Sequence, residues 1–574
     1  MITTYSLKQQ AADWLQPLTA LPIEQLIQML ETPPSPTLGD LAFPCFTLAK
    51  SWRRSPIQIA AELCERLNRA TVHVASATAA GSYVNVAWKR THYAPLLLES
   101  ISMPDYGQLQ RDHKLRIIID MSSPNIAKPF GVGHLRSTVI GAALYRMYAA
   151  AGHEPVSVNH IGDWGTQFGK QIVAHLRWSD AKQAAVDPIA EALRVYIKFH
   201  EEAKMMPELE DEARDWFRRL EQGDAEALTL WDYFVNVSMK SLNGIYERLG
   251  VTFDAVLGES FYNDKMPAVV AQLSALGLLE QSEGAKVVRL DELELPPCLI
   301  LKSDSTTIYP TRDLATAIYR RHVMAGDRLV YVVGGEQALH FRQVFAVLHK
   351  MGYDWADYCT HVPFGLMKIN GKKMSTRKGQ VVLLEQLMDE AVARAAAIIA
   401  EKNPTLPARE QIAQQIGIGA IIFSDLKNNR QNEIDFSLEE ALSFEGETGP
   451  YVQYAYARIC SLLVKATAVS EQETVASEQT EPAPEMWNDA AWELLCHLSS
   501  YREVLERAVQ LQEPSVIARY ALHTARLFNQ WYSRDRIVDA DLRVKPTRIA
   551  LAQSTGRTLE RTLMLLGMAA PQQM

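Results

Sequence analysis

Three consecutive isoleucines, Ile117, Ile118 and Ile119, run straight into a polar turn built on Ser122, Ser123, Pro124 and Asn125, and then into Gly131-Val132-Gly133-His134. A β-branched run bounded by turn residues reads as a buried strand. Residues 136–151 follow with Val139, Ile140, Ala143, Leu144 and Met147 at helical spacing, and Gly152 closes the segment. The next apolar stretch, 155–163, supplies a second strand. A strand, helix and strand so closely spaced predict a parallel pair with a right-handed crossover. Glycines at the strand-to-helix switch let a ligand approach backbone, and the first N–H groups of the helix, with His134, suit a phosphate. Two glycines near a histidine also recur by chance, so this string alone does not establish a nucleotide site.

The chain of 574 residues is long enough for three or four domains. Its net charge of -9 is not that of a strongly basic nucleic-acid binder, although local charge can still serve RNA. From Tyr451 onward, setting aside the acidic stretch 467–489, 13 basic residues stand against 8 acidic ones. The six cysteines, Cys45, Cys64, Cys298, Cys359, Cys460 and Cys496, have no metal-ligand or redox spacing and read as buried small hydrophobes. No metal site is expected. The N-terminus lacks a signal pattern and no apolar run is long enough to span a bilayer, so the expected compartment is the cytoplasm.

Residues 1–105 read as a small α/β module carrying a basic pair, Arg53 and Arg54. The sheet domain spans 112–355, with a helical insertion at about 175–250 rich in Glu, Lys, Leu and Ala; strands return at 287–290, 298–302 and 329–335. Residues 356–450 carry a lysine-rich loop, GKKMSTRKG, which in isolation reads as an exposed basic turn. From 451 to 574 the pattern is helical, interrupted at 469–485 by a polar, acidic, proline-bearing segment expected to be mobile.

The longer strings carry more. SSPNIAKP, GHLRST, NHIGDWGTQFG, GESFYND, YPTRDLA, VVGGEQALHF, KMSTRKG, DLKNNR and FEGETGPYVQYAYARI occur in this order. Together they resemble the class I aminoacyl-tRNA synthetases and, within them, the arginyl-tRNA synthetase family, over about four fifths of the chain. The resemblance implies an α/β fold: a Rossmann-like parallel-sheet catalytic domain with a helical insertion, a small N-terminal α/β domain contacting the corner of the tRNA, and a C-terminal all-α bundle that binds the anticodon. It implies an arginine–tRNA ligase that uses ATP and Mg2+ to form arginyl-adenylate, moves arginine to the 3′ adenosine of tRNA(Arg), and is monomeric.

Residue by residue, the resemblance places ATP at Gly131, Gly133, His134, Met374 and Ser375. Catalysis falls to His134, Lys128, Lys373, Arg377 and Lys378, which stabilise charge on the α-phosphate and the departing pyrophosphate. Two positions depart from the class pattern. Gly131 stands where a first histidine belongs, and Thr376 stands where the second lysine of the loop belongs, leaving Lys378, two residues on, to supply charge. The arginine guanidinium, a planar fork of donors, needs carboxylates. Similarity assigns it Glu259, Tyr309 and Asp313, the last two being four apart and so facing alike on a helical turn. Ser123, Asn125 and Gln337 take the α-amino and carboxylate end, with Asp120 near them. The plainer reading of Asp313 is a helix cap or an ion pair with Arg312. Trp164 fits either a ligand edge or core packing, and His160 fits a hydrogen-bonded core histidine. Arg430, Tyr451, Tyr454, Arg458, Arg526 and Trp531 are the expected RNA contacts, although their spacing is equally that of a packed helix. Gly131 also motivates a rival, a catalytically weakened tRNA-binding paralogue; a second rival is a nucleotidyl transferase using another carboxylic acid.

Overall fold

The structure, a computed structural model, describes residues 3–71, 75–126, 130–302, 309–369, 372–373, 383–470 and 484–574. Its centre is a five-stranded parallel sheet formed by β1 (Arg116–Asp120), β2 (Glu154–Asn159), β3 (Ala255–Val256), β4 (Arg328–Gly334) and β5 (Cys359–Phe364). The spatial order is β5-β4-β1-β2-β3, with every pair parallel. The chain order reverses between β1 and β4, which opens a crevice at their C-terminal ends. Ile118 of β1 pairs with Val156 on one side and Leu329 on the other. Both faces of β1 are covered, and for this reason its isoleucines run consecutively instead of alternating.

The helices that bear on the site are α1 (Val132–Ala150), α2 (Ala225–Leu249), α3 (Tyr309–His322), α4 (Ala338–Lys350), α5 (Arg409–Leu426), α6 (Gly449–Ser470), α7 (Ser515–Arg534) and α8 (Lys545–Leu566). Helix α1 is buried on nearly every face, between β1 and the C-terminal bundle. Gly141 permits this approach, because a Cβ there would collide with the side chain of Met121. A helical block from Thr166 to Leu249 separates β2 from β3 and has a core of its own around Val173, Val195, Phe199 and Leu209.

One expectation is corrected. The runs 287–290 and 298–302 do not return to the central sheet. They lie in a separate antiparallel sheet of Glu280–Ser282, Ala285–Leu290 and Leu295–Leu301. The connections are too short for a parallel crossover, which needs about a dozen residues, and Glu283 and Gly284 turn the chain with positive φ.

The N-terminal module is a three-stranded antiparallel sheet of Leu41–Pro44, Tyr83–Trp88 and Ala75–Ala80, packed with helices Thr4–Thr19 and Pro56–Thr71. It docks on the C-terminal bundle: Trp492 Nε1 donates to Asp40 Oδ1 (2.6 Å), Arg90 pairs with Asp489 (2.8 Å), and the Tyr106 hydroxyl donates to the Leu498 carbonyl (2.7 Å). Arg54 of the basic pair is spent on Glu62. The stretch 471–483, most of the segment expected to be mobile, lies outside the described residues. Among the described residues no helix is long and apolar enough to cross a membrane. Burial pushes Cys298 and Cys359 up to about 12, which makes them poor nucleophiles.

Candidate active site

At the end of β1 the chain turns through Ser122 and Ser123, both at positive φ (72° and 49°), a conformation that non-glycine residues hold only when their surroundings fix it. The surroundings here are a hydroxyl network. Ser122 Oγ lies 2.7 Å from the hydroxyl of Tyr246 and accepts from Thr138 Oγ1 at 2.8 Å, while its N–H donates to Ser137 Oγ at 3.0 Å. Asn159, at the end of β2, donates to Tyr246 and accepts from the Ser123 N–H. Burial pushes the Tyr246 phenol up to about 12, so it stays a neutral donor. Asp120 accepts from Ser123 Oγ (2.8 Å) and pairs with the buried Arg320 (2.7 Å). Asn125 is exposed beyond this turn, bridged to Gly162 in the loop after β2.

Gly131 caps α1 in ordinary extended backbone, and a Cβ at Gly133 would meet only open space. Gly133 is therefore not demanded by packing, which leaves backbone access as its use. His134, in the first turn, is half-buried with its ring 5.1 Å from Phe130. The distal flank of the lysine-rich loop meets this turn. Lys372–Lys373 pairs with Met367–Ile369, directly after β5, and on the far side Leu383 bridges to Gly131 while the Leu384 N–H donates to the Phe130 carbonyl (3.0 Å). Lys128, Met374, Ser375, Arg377 and Lys378 lie outside the described residues, as does the side chain of Lys373.

Charged groups gather beside the ends of β2 and β3. Glu259 opens the 3-10 turn Glu259–Tyr262 and pairs with Arg312 (2.9 Å). Burial, with Asp313 and Asp163 nearby, pushes its carboxyl up to about 7 despite Arg312. Asp313, in the first turns of α3, bonds His340 Nε2 at 2.5 Å, so its partner is this histidine of α4 and not Arg312. Tyr309 begins α3 two-thirds exposed, and Gln337 is exposed after β4. Trp164 packs edge-on against Phe217 and Trp231, which is the core-packing reading. His160 bonds the Leu257 carbonyl through Nδ1 (2.9 Å), and burial holds its pKa below the usual imidazole value.

Two expected RNA contacts are corrected. Trp531 is fully buried in the bundle beside Phe528, because helical spacing turns it inward. Arg430 is enclosed in an ion pair with Glu513 (3.2 Å). Arg526 pairs with Glu447 (2.9 Å) while about half exposed, and the Tyr451 hydroxyl accepts from Asn529 Nδ2 (3.1 Å). Tyr454 and Arg458 border a cavity of about 960 Å3 together with Lys465, Tyr532, Arg534 and Arg536. The Arg458 guanidinium lies 4.8 Å from the Tyr454 ring and 5.5 Å from that of Tyr532. Lys465 and Arg536 were not among the expected contacts; Arg536 stands in the aromatic-basic string Trp531-Tyr532-Ser533-Arg534-Asp535-Arg536, which could have pointed to it. Tyr246 and His340 escaped the sequence reading because only folding brings them to the site.

Comparison with known proteins bears on the family and the fold. Residues 98–438 match the catalytic-domain family of class I (R) tRNA synthetases, 452–574 the DALR anticodon binding domain, and 6–87 the arginyl tRNA synthetase N terminal domain. The chain is 47% identical over 557 residues to an arginine–tRNA ligase of Latilactobacillus sakei, covering 97% of each, and 47% identical to one of Exiguobacterium over 96% of this chain and 97% of that one. Its structure is similar to that of Thermus thermophilus arginyl-tRNA synthetase, with a TM-score of 0.81 at 27% identity and full coverage of both chains. The Plasmodium falciparum arginyl-tRNA synthetase, at 21% identity and a TM-score of 0.77 over the full length of both, shares the fold.

Proposed function

The chain belongs to the arginyl-tRNA synthetase family, and from that premise we propose which of its residues perform the reaction. The activity is that of a class I arginine–tRNA ligase: ATP-dependent activation of L-arginine to arginyl-adenylate, then transfer to the 3′ adenosine of tRNA(Arg). Nothing in the relatives favours a catalytically weakened paralogue.

The observation that carries the assignment is the meeting of the α1 N-terminus with the flank of the lysine-rich loop at Gly131 and Leu383, on the side of the sheet where strand order reverses. ATP lies along this seam in our reading. Gly131, Gly133 and His134 face its α-phosphate, Met374 and Ser375 face the nucleotide, and Lys128, Lys373, Arg377 and Lys378 neutralise the pyrophosphate as it leaves. The carboxylate of arginine attacks the α-phosphorus, and the P–O bond to pyrophosphate breaks. Asp120, Ser123, Asn125 and Gln337 orient the α-amino and carboxylate end. Glu259, Asp313 and Tyr309 receive the guanidinium. Among the described residues no three His, Cys, Asp or Glu side chains converge as a metal cage. Magnesium would accompany the ATP phosphates, since it keeps several waters and takes few protein ligands.

For the RNA, Tyr454, Arg458 and the cavity they border suit an unstacked loop, since single-stranded bases are held by stacking and cationic contacts. Tyr451 and Arg526 lie on the helices that carry this surface. The proposed domains are 1–105, 112–355 with its insertion, 356–450 and 451–574. A cytoplasmic monomer completes the reading. The deciding experiment is pyrophosphate exchange with ATP, arginine and cognate tRNA. Arginine-dependent exchange that drops roughly 10²–10³-fold in His134→Ala is expected; undiminished exchange in that variant would remove His134 from the chemistry.

A further inference from the structure

The partners of the two carboxyl groups at the acidic end of the site differ in kind. Asp313 is held by an imidazole, His340, whereas Glu259 is held by a guanidinium of the chain itself. Arg312 Nη1 meets Glu259 Oε2 at 2.9 Å. That single contact uses little of a fork that carries five donors, and Arg312 Nε is buried without a hydrogen-bond partner among the described residues. Both side chains are largely withdrawn from water, at 12% and 16% exposure. The carboxylate assigned above to the guanidinium of the substrate therefore already carries a guanidinium, bound through one donor.

We propose that Arg312 is the resting occupant of the guanidinium subsite and that the side chain of substrate arginine displaces it from Glu259. The proposal rests on the assignment of Glu259 to that subsite. Exchange of one guanidinium for another keeps a positive charge on the half-enclosed acid throughout, and a substrate presenting two parallel N–H groups outcompetes a single contact. The ammonium of lysine is a compact point charge with no parallel pair to offer. Arg312 thus sets a threshold that arginine passes and lysine does not, which is discrimination by an internal competitor. The same competition lowers the apparent affinity for arginine in proportion to the occupied fraction.

The test is Arg312→Gln, assayed for aminoacylation and pyrophosphate exchange with arginine and with lysine. The arginine KM is expected to fall roughly 3- to 10-fold as the competitor is removed, with exchange on lysine rising relative to arginine and the ATP KM unchanged. A raised arginine KM would make Arg312 a residue that merely orients Glu259, and would overturn the proposal while the pocket stands. Glu259→Gln separates the two layers: a raised arginine KM keeps Glu259 in the pocket, and an unchanged one removes the pocket assignment and this proposal together. Binding of tRNA at parental affinity reports that each variant is folded. Should Arg312→Gln fail that control, Arg312→Lys carries the same comparison, a lowered arginine KM supporting displacement and a raised one refuting it.

Discussion

If Glu259 receives the guanidinium as proposed, it links pH to substrate affinity. Its carboxyl sits at about 7, above the ordinary 4.5, because burial and the neighbouring acids Asp313 and Asp163 outweigh Arg312. A raised carboxyl pKa means the folded chain holds a proton there that the unfolded chain releases. The group therefore costs folding stability as pH rises from about 4.5 to about 7. Affinity has the opposite sign, since guanidinium recognition needs the charged acid. We expect the arginine KM to fall as pH rises across about 6–8, and Glu259→Gln to flatten that dependence; a parent profile that is flat for arginine would show that Glu259 does not titrate in the pocket. The sequence exposed Glu259, Asp313 and Ser123 as candidates through their motifs. It did not expose Arg312 as a partner of Glu259, because the two residues stand 53 positions apart and meet only across packed elements.

At the scale of elements, α1 was legible from its periodicity and its glycine-bearing entry, while what pins it was not. Arg136 interrupts an apolar run and would ordinarily face solvent. It is instead 1% exposed, bonded to Asp425 of α5 (3.1 Å) and to the carbonyls of Gly365 and Asn432. The pair fixes α1 to α5, and the Gly365 contact fixes it to the segment that follows β5. Removing one partner of a buried pair leaves an uncompensated charge, so Arg136→Met alone should destabilise the chain by ~3–5 kcal/mol in denaturant unfolding. Arg136→Met with Asp425→Leu should recover much of that loss; a double variant as unstable as the single would point to the carbonyl contacts instead. The runs 287–290 and 298–302 teach a related lesson. Their composition marked them as strands, but composition does not name the sheet a strand joins.

Across the whole molecule, the expected RNA surface divides into core and exterior. Trp531→Ala should cost ~3–5 kcal/mol of stability, as large aromatic truncations in cores do. Arg458→Ala, which loses two ring contacts and a bond to Asn529, should cost about 1–2 kcal/mol of stability while raising the tRNA KM in aminoacylation. Equal tRNA KM values for Arg458→Ala and the parent would withdraw the cavity from the RNA interface. The sequence by itself determined the parallel sheet, the strand-to-helix turn that follows β1, the helical C-terminal part and the family, because period, turn chemistry and ordered motifs are local properties of a chain. Only the tertiary structure decided that the N-terminal module rests on the C-terminal bundle through Asp40 and Trp492, that Trp531 points inward while Tyr454 stays outside, and that Arg312 covers Glu259. Such pairings join residues tens to hundreds of positions apart, and the free energy that selects them comes from burial and charge in the assembled core, which no local pattern records.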